Sequence, residues 1–306
     1  MSSSGSTRAI LAALFANAGI AVSKFVGYLI TGSSSMLAEA VHSVADTSNQ
    51  ALLLFGQRRA RKDATNLHQF GYGRSRYFYS FVVALVLFSL GAAFALYEGY
   101  HKISHPTPLT SPMVAVVILV VAIGLESYSF RTAMVESRPL KGSGSWWQFI
   151  RHSRNPELPV VLLEDTGALL GLIFALAGVG LTVLTGNPIW DGIGTAAIGA
   201  LLAVIAVILM VEMHSLLIGE GATAVDLAAI RGALEKTGHV DRVIHLRTQY
   251  LGPEEMLVGA KIALAPGIDL ATVAAAIDSA EAAVRAAVPA AAVIYLEPDL
   301  DRSSAR

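Results

Sequence analysis

Leu37-Ala38-Glu39-Ala40-Val41-His42-Ser43-Val44-Ala45-Asp46-Thr47-Ser48-Asn49 is the stretch that decides the fold. Its polar residues recur every three or four positions, so Glu39, His42, Asp46 and Asn49 share one stripe of a helix. The stripe lies inside a stretch, about 35–57, long enough to cross a bilayer. A charge near the bilayer centre costs at least about 2.5–3.5 kcal/mol on insertion scales. A helix that carries several such groups on one face therefore belongs to a bundle, with that face turned inward.

Working outward, five more stretches have spanning length: about 8–31, 77–101, 111–136, 159–185 and 189–213. Thr31-Gly32-Ser33-Ser34-Ser35, His105-Pro106-Thr107-Pro108 and Thr185-Gly186-Asn187-Pro188 break them apart. The run from Ile10 to Ile30 is too long for a signal-peptide core and carries Lys24, so it reads as the first span. Composition agrees. Of 306 residues 54% are apolar and 15% charged, against about 25% charged in a soluble domain. The net charge of −1 offers no basic face for nucleic acid. With no cysteine, any metal site must be built from nitrogen and oxygen.

Basic residues set the orientation. Arg58, Arg59, Arg61, Lys62, Arg74 and Arg76 follow the second span, and Arg138, Lys141, Arg151 and Arg154 follow the fourth. The positive-inside rule makes those two loops and both termini cytoplasmic, in a bacterial inner membrane or an organellar one. The loop 137–156, with Trp146, Trp147 and Phe149, reads either as an amphipathic helix at the interface or as a segment packed on its neighbours.

Beyond about residue 215 the pattern becomes that of a soluble domain. A helix from Val225 to Lys236, strands at 240–250 and 256–264 around Leu251-Gly252-Pro253, a helix over 268–287 and a strand at 292–296 give the order α-β-β-α-β. The expected architecture is thus an α-helical membrane protein: a six-helix transport domain, residues 1–214, and a small cytoplasmic α+β domain, residues 215–306.

His42 and Asp46, one turn apart, can converge on one ion and supply half of a tetrahedral site. The fifth span adds Glu164 and Asp165, which differ by about 100° around the helix and so point to different places. His42, Asp46, Glu164 and Asp165 are the candidate metal-binding residues. Glu98, Glu126, Glu136 and Asp191 read as interfacial acids at span ends. Asp63, Asn66 and His68, before Phe70-Gly71-Tyr72-Gly73-Arg74, form either a second, exposed metal site or simply a turn-rich loop.

At these residues the chain resembles the cation diffusion facilitator family. Gly32-Ser33-Ser34-Ser35 leading into Glu39-Ala40-Val41-His42-Ser43-Val44-Ala45-Asp46, then His68-Gln69-Phe70-Gly71-Tyr72-Gly73-Arg74, Tyr97-Glu98-Gly99 and Ile294-Tyr295-Leu296-Glu297-Pro298 carry the likeness in order. The details of the second and fifth spans are most similar to the branch that includes the ninth human zinc transporter. The resemblance implies a homodimer, a ferredoxin-like cytoplasmic domain, and alternating access with metal exchanged against protons. Matched to the family's fifth-span pair, Glu164 stands at the usual histidine and Ala168 at the usual aspartate, with Asp165 an extra carboxylate. In the C-terminal domain Ala275 and Tyr295 stand where histidines are common and His245 remains, which implies dimerisation without a regulatory metal pair.

The function expected is efflux of a divalent cation, Zn2+ first, by proton antiport. The metal is the transported substrate and not a cofactor. Metal ligation displaces protons from carboxylates and imidazole, and imidazole changes charge in the physiological window. The alternatives are an Mn2+ or Fe2+ transporter of the same fold, since carboxylates also suit manganese, and a non-transporting sensor or scaffold. An exporter of organic cations is a further rival, which a compact His-Asp-carboxylate cluster argues against. An enzyme is not expected: H-E-x-x-H and the phosphate-binding loop are both missing.

Overall fold

The computed structural model describes residues 18–299; the expected start of the first span, 8–17, lies outside them. The chain divides into two compact units, Met1–Arg58 with Phe78–His214, and Arg59–Tyr77 with Ser215–Arg306.

Helix α1 runs over Ala18–Thr31. It stops where Gly32 takes φ 65°, the left-handed conformation that suits glycine after a helix. Helix α2 follows at Ser34–Ala60. Helix α3, Ser75–Ser104, contains a π-helical segment at Leu87–Ala93. Helix α4 is Pro112–Lys141, with proline at its first position where no donor is lost. A short α5, Trp146–His152, precedes α6, Glu157–Thr185, and α7, Ile189–Ile218.

Among the described residues, four helices are long and apolar enough to cross a membrane: α3, the Pro112–Pro139 part of α4, α6 and α7. The expectation of six such spans meets a physical difference in α2. That helix has the length, 27 residues, but its Glu39, His42 and Asp46 lower its hydropathy. Apolar side chains face outward on α4, where Val117, Val121 and Leu125 are more than half exposed. Small residues bring α3 and α7 together, since a Cβ on Gly99 would sit 2.6 Å from the Ala196 amide nitrogen.

Helix α5 is held by a capping box in which Ser145 and Gln148 each accept from the other's backbone. Phe149 packs with Ala133 of α4 and Leu162 of α6, while Trp147 stays half exposed. The segment is helical, and Phe149 and Trp146 pack it on its neighbours.

In the second unit, α8 (Ala224–Glu235), β1 (Val240–Gly252), β2 (Glu255–Leu264), α9 (Leu270–Ala287) and β3 (Ala291–Asp299) follow the α-β-β-α-β order read from the sequence. The sheet order is β1-β2-β3, with β1 antiparallel and β3 parallel to β2. Alternate residues of β2, among them Met256, Val258 and Ile262, enter a core with Ile230 and Leu234 of α8 and Val284 of α9. Asp269 caps α9 by accepting from the Thr272 amide, and its bonds to Thr272 hold its carboxyl below the usual range.

The loop with the Phe70–Arg74 motif groups with this unit and not with the helices before and after it. Gly73 lies against the β1–β2 turn: a Cβ there would meet the Leu251 carbonyl oxygen at 2.8 Å and the Gly252 Cα at 3.1 Å. The two glycines are what lets backbone meet backbone.

Candidate metal site

Helix periodicity places the α2 stripe as expected, and the bundle buries it. Glu39, His42 and Asn49 are fully buried, and the Asp46 side chain is 16% exposed. His42 Nδ1 lies 3.6 Å from Asp46 Oδ1, the pairing that a one-turn spacing allows. Both His42 nitrogens and Asp46 Oδ1 are buried without a hydrogen-bond partner. Such orphans are uncommon in folded proteins and call for an explanation such as an ion or a ligand.

The fifth expected span, now α6, delivers its two carboxylates in different directions. Glu164 Oε1 accepts from Asn49 Nδ2 at 2.6 Å, tying α6 to α2. Asp165 Oδ2 accepts from Ser129 Oγ of α4 at 3.1 Å. The 100° between neighbours on the wheel therefore resolves into two partners on two helices.

A small cavity of ≈ 20 Å³, the room of about one water or one bare ion, is walled by Ser43 and Asp46 of α2, Glu126 and Ser129 of α4, and Glu164 and Asp165 of α6. His42 is not part of this wall; it sits behind Asp46, beside the π-helical segment, where a Cβ on Gly91 would be 4.0 Å from Nδ1. Among the described residues, no group of three or more His, Asp or Glu side chains is drawn together closely enough to hold a metal ion at once. Three of the four candidate residues thus share one cavity and the fourth is paired to one of them.

Two acids depart from the interfacial reading. Glu126 lines the cavity with the candidate ligands. Glu126 and Ser129 are three apart and so share a face of α4, but Ser127, Arg131 and Thr132 crowd the same stretch and leave the pair no clear signal. Asp191 is fully buried at the start of α7. It accepts from Ser33 Oγ at 2.7 Å, the Ser34 amide at 2.8 Å and the Ser35 amide at 3.3 Å, and so caps α2 from another helix. Lys102 Nζ is 3.9 Å away. Glu136 is exposed and Glu98 half-buried. In the loop, Asp63 and His68 are both exposed, and the His68 ring meets Tyr72 edge-on at 4.6 Å.

Comparison with known proteins gives this geometry its context. Residues 10–218 match the cation efflux transmembrane domain. The mouse (Mus musculus) protein named proton-coupled zinc antiporter SLC30A9, mitochondrial, is 33% identical over 79% of this chain and 43% of its own length. Metal tolerance protein C4 of Arabidopsis thaliana is 30% identical over 84% of this chain and 57% of its own. Magnetosome protein MamB of Magnetospira is 25% identical over 79% and 78% respectively. The chain therefore spans about half the length of the first two relatives. With a match covering residues 10–218 of 306, the chain belongs to the cation efflux family.

Proposed function

We propose that the chain moves a divalent transition-metal cation, zinc first, across a bilayer in exchange for protons. The observation that carries this reading is the orphaned His42–Asp46 pair, whose Asp46 lines one cavity with carboxylates from α4 and α6. The mouse relative is named a proton-coupled zinc antiporter, which points the same way. Six spans, the two helices α1 and α2 included, form the transport domain over 1–214. Residues 215–306 form a cytoplasmic dimerisation domain, and both termini face the cytoplasm.

The chemistry follows from the residues. Carboxylates crowded in a water-poor cavity repel one another unless a cation or protons stand among them. Metal arriving on the side of the basic loops takes Asp46, Glu164 and Asp165 as oxygen ligands, and a small rotation of α2 brings the His42 imidazole to it. Protons leave as it binds. The π-helical segment of α3 lies beside His42, and such segments recur at functional sites. On the far side protons return to the carboxylates and the metal departs. Asn49 keeps Glu164 aimed at α2 throughout.

The cavity wall favours a second reading. It presents carboxylates without imidazole, a hard oxygen set that suits Mn2+ as well as Zn2+.

Metal uptake by proteoliposomes decides between them, with zinc, manganese and iron offered with and without a proton gradient. Gradient-dependent zinc flux, reduced about 100-fold or more in Asp46→Ala, the scale of losing a charged transition-state contact, supports the first reading. Flux of manganese or iron alone moves the specificity. No flux of any metal from folded protein removes the transport reading.

A further inference from the structure

Next to the cavity the α2 stripe carries an ion pair that the transport cycle does not use. Lys24, in α1, is fully buried, and its Nζ lies 3.0 Å from Glu39 Oε2 and 2.9 Å from Ser43 Oγ. Glu39 is just as buried. A buried ion pair contributes little net stability after desolvation, so its presence asks for another reason.

Two further observations supply one. Ser43, which accepts from Lys24, also lines the cavity beside Asp46. Glu39 Oε1 is buried without a hydrogen-bond partner. It is held against α6 at Gly171, where a Cβ would fall 2.5 Å from that oxygen. Glu39 and Ser43 thus offer a carboxylate and a hydroxyl one turn along the stripe from His42 and Asp46. The positive charge found among those oxygens is a side chain.

We propose that Glu39 and Ser43 form a second cation position beside the transport site, with the Lys24 ammonium as its built-in occupant. The inference deepens the proposed function and rests on it. A tethered ammonium holds the Glu39 carboxylate out of the cargo's reach and keeps the stripe to one metal ion. The position is made of oxygen alone, so an ion that replaces the ammonium belongs to the manganese class. Lys24 is then a positioning residue whose loss changes how many ions bind and which.

The test is equilibrium dialysis of the full chain in detergent against Mn2+ and, separately, Zn2+. Lys24→Ala removes the ammonium and leaves room for an ion. It is expected to bind one more Mn2+ per protomer than the natural chain, with Mn2+ affinity raised about tenfold or more, the effect of one added charge-assisted contact. Lys24→Arg, which keeps the charge, retains the natural stoichiometry. The double variant Lys24→Ala with Glu39→Gln loses the extra ion. Lys24→Gln carries the same expectation as Lys24→Ala if the smaller side chain prevents folding. A folded Lys24→Ala or Lys24→Gln protein that binds zinc normally and gains no manganese overturns the inference. So does an extra ion that persists without Glu39. A natural chain that binds no divalent metal would instead overturn the transport reading.

Discussion

Asp46 and Asp191 are both carboxylates inside the helical unit, and their surroundings are opposite. Asp191 has its oxygens filled by Ser33, Ser34 and Ser35, sits at the positive end of α2, and has Lys102 nearby. Asp46 keeps one buried oxygen without a hydrogen-bond partner, faces an imidazole with both nitrogens unbonded, and opens onto other acids. Full satisfaction marks a group that holds the structure together. Orphaned atoms mark a place where something else must supply the partner.

Replacing each aspartate by alanine breaks the comparison most directly. Asp191→Ala leaves Lys102 buried beside an uncapped α2, and about 3–5 kcal/mol of stability is expected to go. Asp46→Ala relieves repulsion in the cavity, so stability in the absence of metal is expected to hold or rise. Added zinc narrows that gap. At a concentration of 100 times Kd it stabilises a binding-competent protein by about 2.7 kcal/mol. A folded Asp191→Asn protein is expected to keep that response and Asp46→Ala to lose it. Thermal unfolding in detergent, with and without zinc, reads all of this. An unchanged zinc response in Asp46→Ala sinks the assignment of the site.

Glu126→Gln sharpens the same comparison at a smaller scale. The substitution keeps the shape of the cavity wall while removing one charge. Metal affinity is expected to fall about 10-fold, the lower end for a group that supports ligands without being one. Stability is expected to stay put. Isothermal titration with zinc measures it, and an unaltered affinity assigns Glu126 to packing alone.

The contrast also explains which features are legible in the amino-acid sequence. Spacing of three and four puts Glu39, His42, Asp46 and Asn49 on one stripe, and length together with apolar composition marks α3, α4, α6 and α7. The alternation of β2 and the Leu251–Pro253 turn give the small sheet its order. All of these are properties of one element read by itself. Asp191 and Glu126 escape that kind of reading because their roles depend on which helix lies opposite. Nothing in Trp190-Asp191 announces that Ser33, Ser34 and Ser35, more than 150 residues earlier, will meet it. The same holds for Lys24, which reads as an odd charge in a span until α2 is beside it.

The Phe70–Arg74 loop teaches that lesson in the second unit. Its sequence is compatible with a metal site or with a turn. In the fold Gly73 fits the β1–β2 turn at distances that leave no room for a side chain. Gly73→Ala is expected to cost about 1–3 kcal/mol through displaced backbone, with metal binding in the other unit unaffected. Hydrogen exchange at Leu251 and Gly252 locates the damage, and wild-type protection there assigns the close approach no energetic weight.

The smallest expected effect lies in α5, where the helix is seven residues long and a short helix has little to spare. Ser145 accepts from the Gln148 amide at 3.1 Å and Gln148 Oε1 accepts from the Ser145 amide at 2.9 Å, so two otherwise unpaired donors are satisfied at once. Ser145→Ala removes one bond and loosens the other, at an expected cost of about 1 kcal/mol. The loss is local, because Phe149 stays packed on α4 and α6 and Arg151 still holds Glu212 of α7 at 2.8 Å. Amide exchange in residues 146–149 is expected to speed up about fivefold, the rate equivalent of that energy, while global stability barely moves. If α5 were an independent interfacial helix held by lipid, its exchange would instead follow lipid composition and ignore the cap. That outcome would shift its anchoring from the capping box and Phe149 to the exposed face that carries Trp147.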